Sequence, residues 1–177
     1  PFLWRTVIHG CAKFLRSEMM DPKAQLEPAN ARIAIENLMF SYAEAIDGGD
    51  FDGIGELFSR AKILAADGQE QGGGREGVKA IYDRSTQLYE DGTPMTQHVT
   101  TNLMFEFGED GRTARVRSRF TVMQQLPDFP LQCIITGYYE DQFGWDEETG
   151  WHFTQRQMKP KLLGDLSKHL KYVYTAP

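Results

Sequence analysis

The sequence predicts an α+β domain, on three observations. Apolar residues form a helical stripe before residue 50, the period changes to strand-like alternation near residue 96, and short polar turns punctuate the second half. In the helical half, Ile35, Leu38, Met39, Tyr42 and Ile46 recur at three- and four-residue spacing, which predicts a helix over residues 31–46. Asn30 is placed to cap its start, and Gly48 and Gly49 end it. Asp50 then caps a short helix with Phe51, Ile54, Leu57 and Phe58 on its apolar side. Residues 62–66 read as a brief strand and the polar, glycine-rich run 67–74 as a loop. A third helix is expected over 75–89, with Val78, Ile81, Tyr82, Ser85 and Leu88 inward, before a turn at Asp91 and Gly92. Four long strands follow, at 96–107, 113–126, 131–145 and 151–160, joined by turns at 109–111, 127–130 and 146–150. Gly137 marks a bend or bulge in the third of them. A long sheet curved over helices gives a half-open cone, which is a natural pocket.

The chain has 177 residues, enough for one hydrophobic core and too few for two. Residues 1–30 read as an arm and linker, 31–170 as the domain and 171–177 as a tail. The net charge of -6 argues against general nucleic-acid binding, which draws on a surplus of positive charge. The 2 cysteines, Cys11 and Cys133, form neither a disulfide framework nor a zinc motif. No apolar run approaches the ~20 residues that cross a bilayer, so no membrane partner and a cytoplasmic location are expected. The first twenty residues stand apart: Arg5, Lys13 and Arg16 face only Glu18. They read as a targeting segment, as an artefact preceding a start at Met19 or Met20, or as an arm packing on a partner subunit through Phe2, Leu3, Trp4, Phe14 and Leu15.

Several chemistries lack their motifs. Gly72, Gly73 and Gly74 are not followed by the Lys and Ser/Thr of a phosphate loop, and there is no GxGxxG, HExxH or GxSxG. His9, His98, His152 and His169 are not spaced as a local metal cluster, so neither a metal nor a cofactor is expected. What remains is proton transfer. Asp47 closes an apolar helix at the end where the helix dipole disfavours a carboxylate, which points to a second role. His98 lies near the start of the first long strand, on the face of Thr96, Thr100, Asn102 and Met104, facing either solvent or a polar-lined cavity. Imidazole is the side chain best suited to moving a proton near neutral pH, and a carboxylate behind it fixes its tautomer. Tyr42 lies five residues before Asp47 and is placed to border the same cavity. Arg115, Arg117 and Arg119 alternate with Ser118 and Phe120, so the arginines face solvent or another subunit and Ser118 and Phe120 face inward. Tyr138 and Tyr139 must face opposite sides. Trp151 and Phe153 share a core face, with His152 opposite.

Four segments carry a family resemblance: SYAEAIDGGDFDGIGELF from Ser41, TQHVTTNLMFEF from Thr96, TARVRSRFTV from Thr113, and ITGYYEDQFGWDEETGWHFTQRQ running into GDLSKHL. The chain resembles the SnoaL-like group of the nuclear transport factor 2-like superfamily, near its scytalone dehydratase branch, over roughly residues 31–170. That resemblance implies a cone-shaped barrel of a curved, mostly antiparallel sheet wrapped around three N-terminal helices, and a homodimer or homotrimer built through the sheet. It implies that Asp47 supports His98. It departs from the dehydratase in having no second histidine on the strand around Ser118 and Arg119, and Ile46 where a tyrosine precedes the aspartate. The expected activity is dehydration, isomerisation or cyclisation of a small, largely apolar cyclic or aromatic ligand without a cofactor. His98, Asp47 and Tyr42 are the expected catalytic set, and Tyr138, Ser118, Asn102 and Phe120 the substrate-binding set. A non-catalytic binding or assembly module, and the small subunit of a ring-hydroxylating dioxygenase, are the alternatives.

Overall fold

The computed structural model describes residues 21–174, so the expected arm over residues 1–20 lies outside the described residues. Helix α1 (Pro22–Leu26) is one turn capped by Asp21, which accepts from the Lys23 amide. Helix α2 (Pro28–Asp47) starts three residues earlier than the apolar stripe indicates, because Pro28 suits a first helical position whose N–H needs no partner. Asn30 is therefore not the cap. Its Nδ2 donates to the Ala24 carbonyl at 2.8 Å and pins α1 to α2. Ala31, Ile35, Met39, Tyr42 and Ile46 form the buried stripe of α2. Gly49 turns the chain in the left-handed region (φ 71°), and a Cβ there would lie 2.1 Å from the Gly92 carbonyl. The two expected turns thus abut, and only glycine fits where they meet. Asp50 caps α3 (Phe51–Leu57) through the Gly53 amide at 2.8 Å.

Strand β1 (Lys62–Leu64) forms a hairpin with β2 (Glu70–Gly73), inside a run that reads as loop. The segment Glu-Gln-Gly-Gly has no strand pattern of its own; its ladder with β1 creates the strand. Helix α4 (Gly74–Ser85) buries Val78 and Tyr82. Strands β3 (Thr96–Phe107), β4 (Thr113–Leu126), β5 (Phe129–Asp146) and β6 (Gly150–Leu163) form the long antiparallel meander.

The complete sheet has six strands in the order β2-β1-β6-β5-β4-β3, with β1 parallel to β6. It is open. Closing a barrel requires its outer strands to share a ladder, and β2 and β3 do not pair. The expected cone-shaped barrel is therefore corrected to an open mixed sheet with helices packed on it; α4 follows the first strand, as the sequence order indicates, with β2 between them. Helix α2 packs on β3 and β6, and α3 packs on α4. None of the helices among the described residues is long and apolar enough to cross a membrane.

Two bulges decide which side chains face the helices. In β3, Asn102 and Leu103 together oppose Ser118: Thr101 pairs with Arg119 and Met104 with Arg117. Asn102 adopts φ 55°, so alternation reverses beyond it. His98 faces inward with Val122, and so do Phe105 with Val116 and Phe107 with Ala114. In β6, Thr154 is the extra residue between Phe153 and Gln155, and it turns Arg156 to the same buried face as Trp151 and Phe153. At Gly137 the extra residue belongs to the partner strand, where Lys161 is unpaired. Gly137 itself is needed because a Cβ would lie 2.7 Å from the Phe120 ring.

The core centres on stacked rings: Phe153 lies 4.4 Å from Phe58 and 4.5 Å from Phe143 between centroids, and is fully buried. Phe153→Ala removes this contact and leaves a cavity, so urea unfolding will show a loss of ~3–5 kcal/mol; a loss below ~1 kcal/mol would contradict this packing.

Candidate active site

Asp47 is the last residue of α2, and its carboxylate sits against the first residues of β3. That strand is an edge, so some of its amides have no ladder partner. Asp47 Oδ2 accepts from the His98 amide at 2.6 Å, and Oδ1 accepts from Thr96 Oγ1 at 2.7 Å. Oδ1 also lies 2.6 Å from His98 Nδ1. This geometry assigns the Nδ1–H tautomer to neutral His98 and leaves Nε2 without a proton. Burial raises the Asp47 carboxyl, but the His98 bonds and the Thr96 hydroxyl outweigh it and hold it below its ordinary value.

An aromatic group flanks the imidazole. Tyr42 meets His98 edge-on at 6.2 Å, and Tyr139 meets Tyr42 at 6.0 Å. The Tyr42 hydroxyl accepts from Tyr82 Oη at 3.2 Å. Burial pushes the Tyr82 and Tyr139 hydroxyls well above their ordinary values, so both stay protonated. Behind them, Arg156 makes a bidentate pair with Asp141, Nε to Oδ1 at 2.8 Å and Nη2 to Oδ2 at 2.7 Å. Its guanidinium lies over Tyr42 at 4.3 Å and Tyr139 at 4.1 Å. Burial opposes the guanidinium charge, but the Asp141 carboxylate outweighs it and raises Arg156 above its ordinary value. Burial also pushes the Asp141 carboxyl up while Arg156 pulls it back. The two-point geometry keeps the pair ionised.

The other expected residues divide. Ser118 and Phe120 are buried on the inner face; Phe120 stacks on Tyr139 at 4.5 Å, and Ser118 Oγ has no hydrogen-bond partner. Tyr138 lies on the outer face under Arg119, at 4.2 Å, and Tyr139 takes the inward position. Asn102 is exposed, because the bulge it forms turns it away from the face of His98. Arg115, Arg117 and Arg119 are exposed on the outer face, as their alternation indicates. Two open concavities of about 420 and 490 Å³ lie on that outer side, around Arg115 and Gln142, away from His98.

Sequence reasoning missed three members of the inner group. Arg156 is hidden by the bulge at Thr154. Asp141 follows from Tyr139 by strand alternation once Tyr139 is placed inward. His169, in the segment after β6, is buried with its ring 6.5 Å from that of His98. Its Nδ1 has no hydrogen-bond partner. Burial, reinforced by the neighbouring His98, pushes it down to about 4. Among the described residues, no group of three or more His, Cys, Asp or Glu is placed to hold a metal ion.

The open sheet, the covering helices and the Asp47–His98 pair at the end of the long helix define a nuclear transport factor 2-like protein. The SnoaL-like domain family model matches residues 27–157, and the chain belongs to that family. Its structure is similar to that of a putative scytalone dehydratase from Novosphingobium aromaticivorans, at 22% identity and TM-score 0.64, covering 86% of this chain and 94% of that one. It is similar to a hexachlorocyclohexane dehydrochlorinase, LinA-type3, from Novosphingobium barchaimii, at 18% identity and TM-score 0.60, covering 86% and 99%. It is also similar to a protein of unknown function from Mycobacterium tuberculosis, at 19% identity and TM-score 0.60, covering 78% of each chain. At these identities the likeness shows the fold alone. No curated protein matches the chain.

Two outcomes test this arrangement. Arg156→Met strands the buried Asp141 carboxylate and will cost ~3–5 kcal/mol in chemical denaturation, whereas Arg156→Met with Asp141→Leu will recover most of that loss. His169 titrates lower folded than unfolded, so the unfolded chain binds the extra proton between the ordinary value of 6.5 and about 4. Stability is therefore full above pH ~6.5 and falls by about 3 kcal/mol as pH drops to ~4. Denaturation across that range in the wild type and in His169→Gln will show this part of the slope lost in the variant; equal slopes contradict a neutral buried His169.

Proposed function

We propose that this chain is a cofactor-independent lyase or isomerase that moves a proton on a small, largely apolar cyclic carbonyl or hydroxyl compound. The observation that carries the reading is the His98–Asp47 pair, with Nδ1 committed to the carboxylate and Nε2 free beside the Tyr42 ring. In this reading His98 Nε2 removes a proton alpha to a carbonyl. Asp47 stabilises the imidazolium that results and keeps the ring oriented. His98 then returns the proton to a carbon, which isomerises the substrate, or to a departing hydroxyl, which dehydrates it. Tyr42, Tyr139, Ser118 and Phe120 contribute the wall against which the ring of the substrate packs. The names of the similar structures, a dehydratase and a dehydrochlorinase, are in keeping with loss of a proton and a neighbouring group. The same reading places a homodimer or homotrimer contact on the outer face of the sheet, where the arginine row of β4 lies beside Glu106 and Glu140.

Hydrogen–deuterium exchange at the alpha carbon of 2-tetralone in D₂O, followed by proton NMR, tests the reading without the natural substrate. Wild type will accelerate the exchange, and His98→Gln will lower the acceleration by about 100-fold or more. Equal exchange with the wild type and His98→Gln would move the assignment to a binding module.

A further inference from the structure

We propose that His169 is a second catalytic residue of this site: its neutral imidazole donates a hydrogen bond from Nδ1 to the carbonyl oxygen of the bound substrate. The proposal rests on the proton-transfer reading of His98 and names the chemistry it acts on, an enolisable carbonyl compound.

His169 belongs to no helix or strand, yet its backbone is fixed from several sides. The Gln87 amide donates to its carbonyl at 2.8 Å, and its own amide donates to Leu166 at 3.0 Å. The next residue, Leu170, forms a bridge with Thr86. The preceding carbonyl, of Lys168, accepts from Tyr89 Oη at 2.6 Å and from Gln124 Nε2 at 3.1 Å. This network delivers a side chain that is 8% exposed and whose Nδ1 has no partner. A buried polar nitrogen without a partner is costly, and a structure that holds one in place marks a position where another molecule supplies the partner.

The neighbour of that nitrogen defines the molecule. The rings of His169 and His98 are neighbours, 6.5 Å apart between centroids and inclined by 57°, with no hydrogen bond between them. Their surroundings set them to different tasks. His98 Nδ1 lies 2.6 Å from the Asp47 carboxylate. His169 has no carboxylate bonded to it and is held neutral by burial. A neutral imidazole is a poor base but a good fixed donor to a developing oxyanion, because its proton stays on nitrogen throughout. The step balances: the alpha C–H bond breaks and its proton goes to His98 Nε2. The bonding pair forms the carbon–carbon double bond of the enolate. The carbonyl π pair moves onto oxygen, which accepts from His169 Nδ1–H. A fixed N–H donor to the substrate favours an oxygen-bearing compound over a purely halogenated one.

The test uses 4-nitrophenol as the mimic of an enolate oxygen, titrated into the full chain and read by visible absorption. Wild type will bind it, His169→Phe will weaken binding by about tenfold or more, and His169→Gln, which keeps an N–H donor, will return it to within about threefold of wild type. The same His169→Phe change will slow 2-tetralone exchange by about tenfold. Should His169→Phe not fold, ¹⁵N-histidine NMR of the wild type decides: the His169 ring N–H signal, identified by its absence in His169→Gln, will shift on adding the phenol. Absence of wild-type binding, unchanged binding in folded His169→Phe, or an unshifted ring signal overturns the proposal. Loss of exchange in His98→Gln with unchanged phenol binding and exchange in His169→Phe removes His169 while proton transfer stands. Absence of exchange in wild type removes the proton-transfer reading, and the phenol titration then judges His169 separately.

Discussion

The carboxylate of Asp47 joins the longest helix to the edge of the sheet, and the site depends on that joint. A helix C-terminus is a poor place for negative charge, because the last carbonyls already point there. Asp47 is held there by donors from β3: the Thr96 hydroxyl, the His98 amide and the His98 ring. Only an edge strand has a spare amide to offer, so the openness of the sheet and the position of the carboxylate are one fact. The bonds that dock α2 on β3 also fix the imidazole, so the ring cannot turn without loosening the helix–sheet contact. Packing and chemistry share the same atoms at this point.

A second constraint lies behind the first. Arg156 is completely buried and closes the inner end of the group with Tyr42, Tyr139 and Asp141. A buried ion pair gains little over apolar residues of the same shape, since both charges must leave water. Here four aromatic rings, of Tyr42, Tyr139, Phe153 and Phe58, add to the Asp141 carboxylate in surrounding the guanidinium. The same stacking fixes the planes of Tyr42 and Tyr139, and Tyr42 in turn meets the ring of His98. The charge thus acts as a template for the aromatic wall and has no direct contact with the imidazole in its hydrogen bonds.

Much of the fold was legible because its signals are local. The apolar stripe of α2, the cap at Asp50 and the limits of β3 and β4 follow from spacing and turn chemistry within a few residues. The pairing of Asp47 with His98 is not local and came from the family resemblance, together with the odd placement of an acid at a helix end. What was not legible depends on ladder register. One extra residue reverses which side chains face the core, and neither the bulge at Asn102 nor that at Thr154 is announced by a glycine or proline. Hence Asn102 was expected inside, and Arg156 went unnoticed. Tyr138 and Tyr139 are adjacent and chemically alike, so only the register opposite Ser118 separates them. Whether the sheet closes is likewise decided by β1 and β2, short strands of which one has no strand-like composition.

The site draws on three distant stretches of chain: a helix end at Asp47, an edge strand at His98 and the segment at His169. In the proposed reaction none of these carries the chemistry alone. The two imidazoles are the same residue type, and their difference comes from what the fold places beside each: a carboxylate and an amide for one, an apolar enclosure for the other. In the proposed reaction, environment of this kind divides identical groups into a proton acceptor and a neutral donor. The division exists only in the folded chain, because the contacts that create it span 51 residues between Asp47 and His98 and 82 between Gln87 and His169. A substitution that loosens the tail segment therefore acts on the chemistry as well as on stability, by letting water reach the second imidazole and erase the difference on which the pair depends.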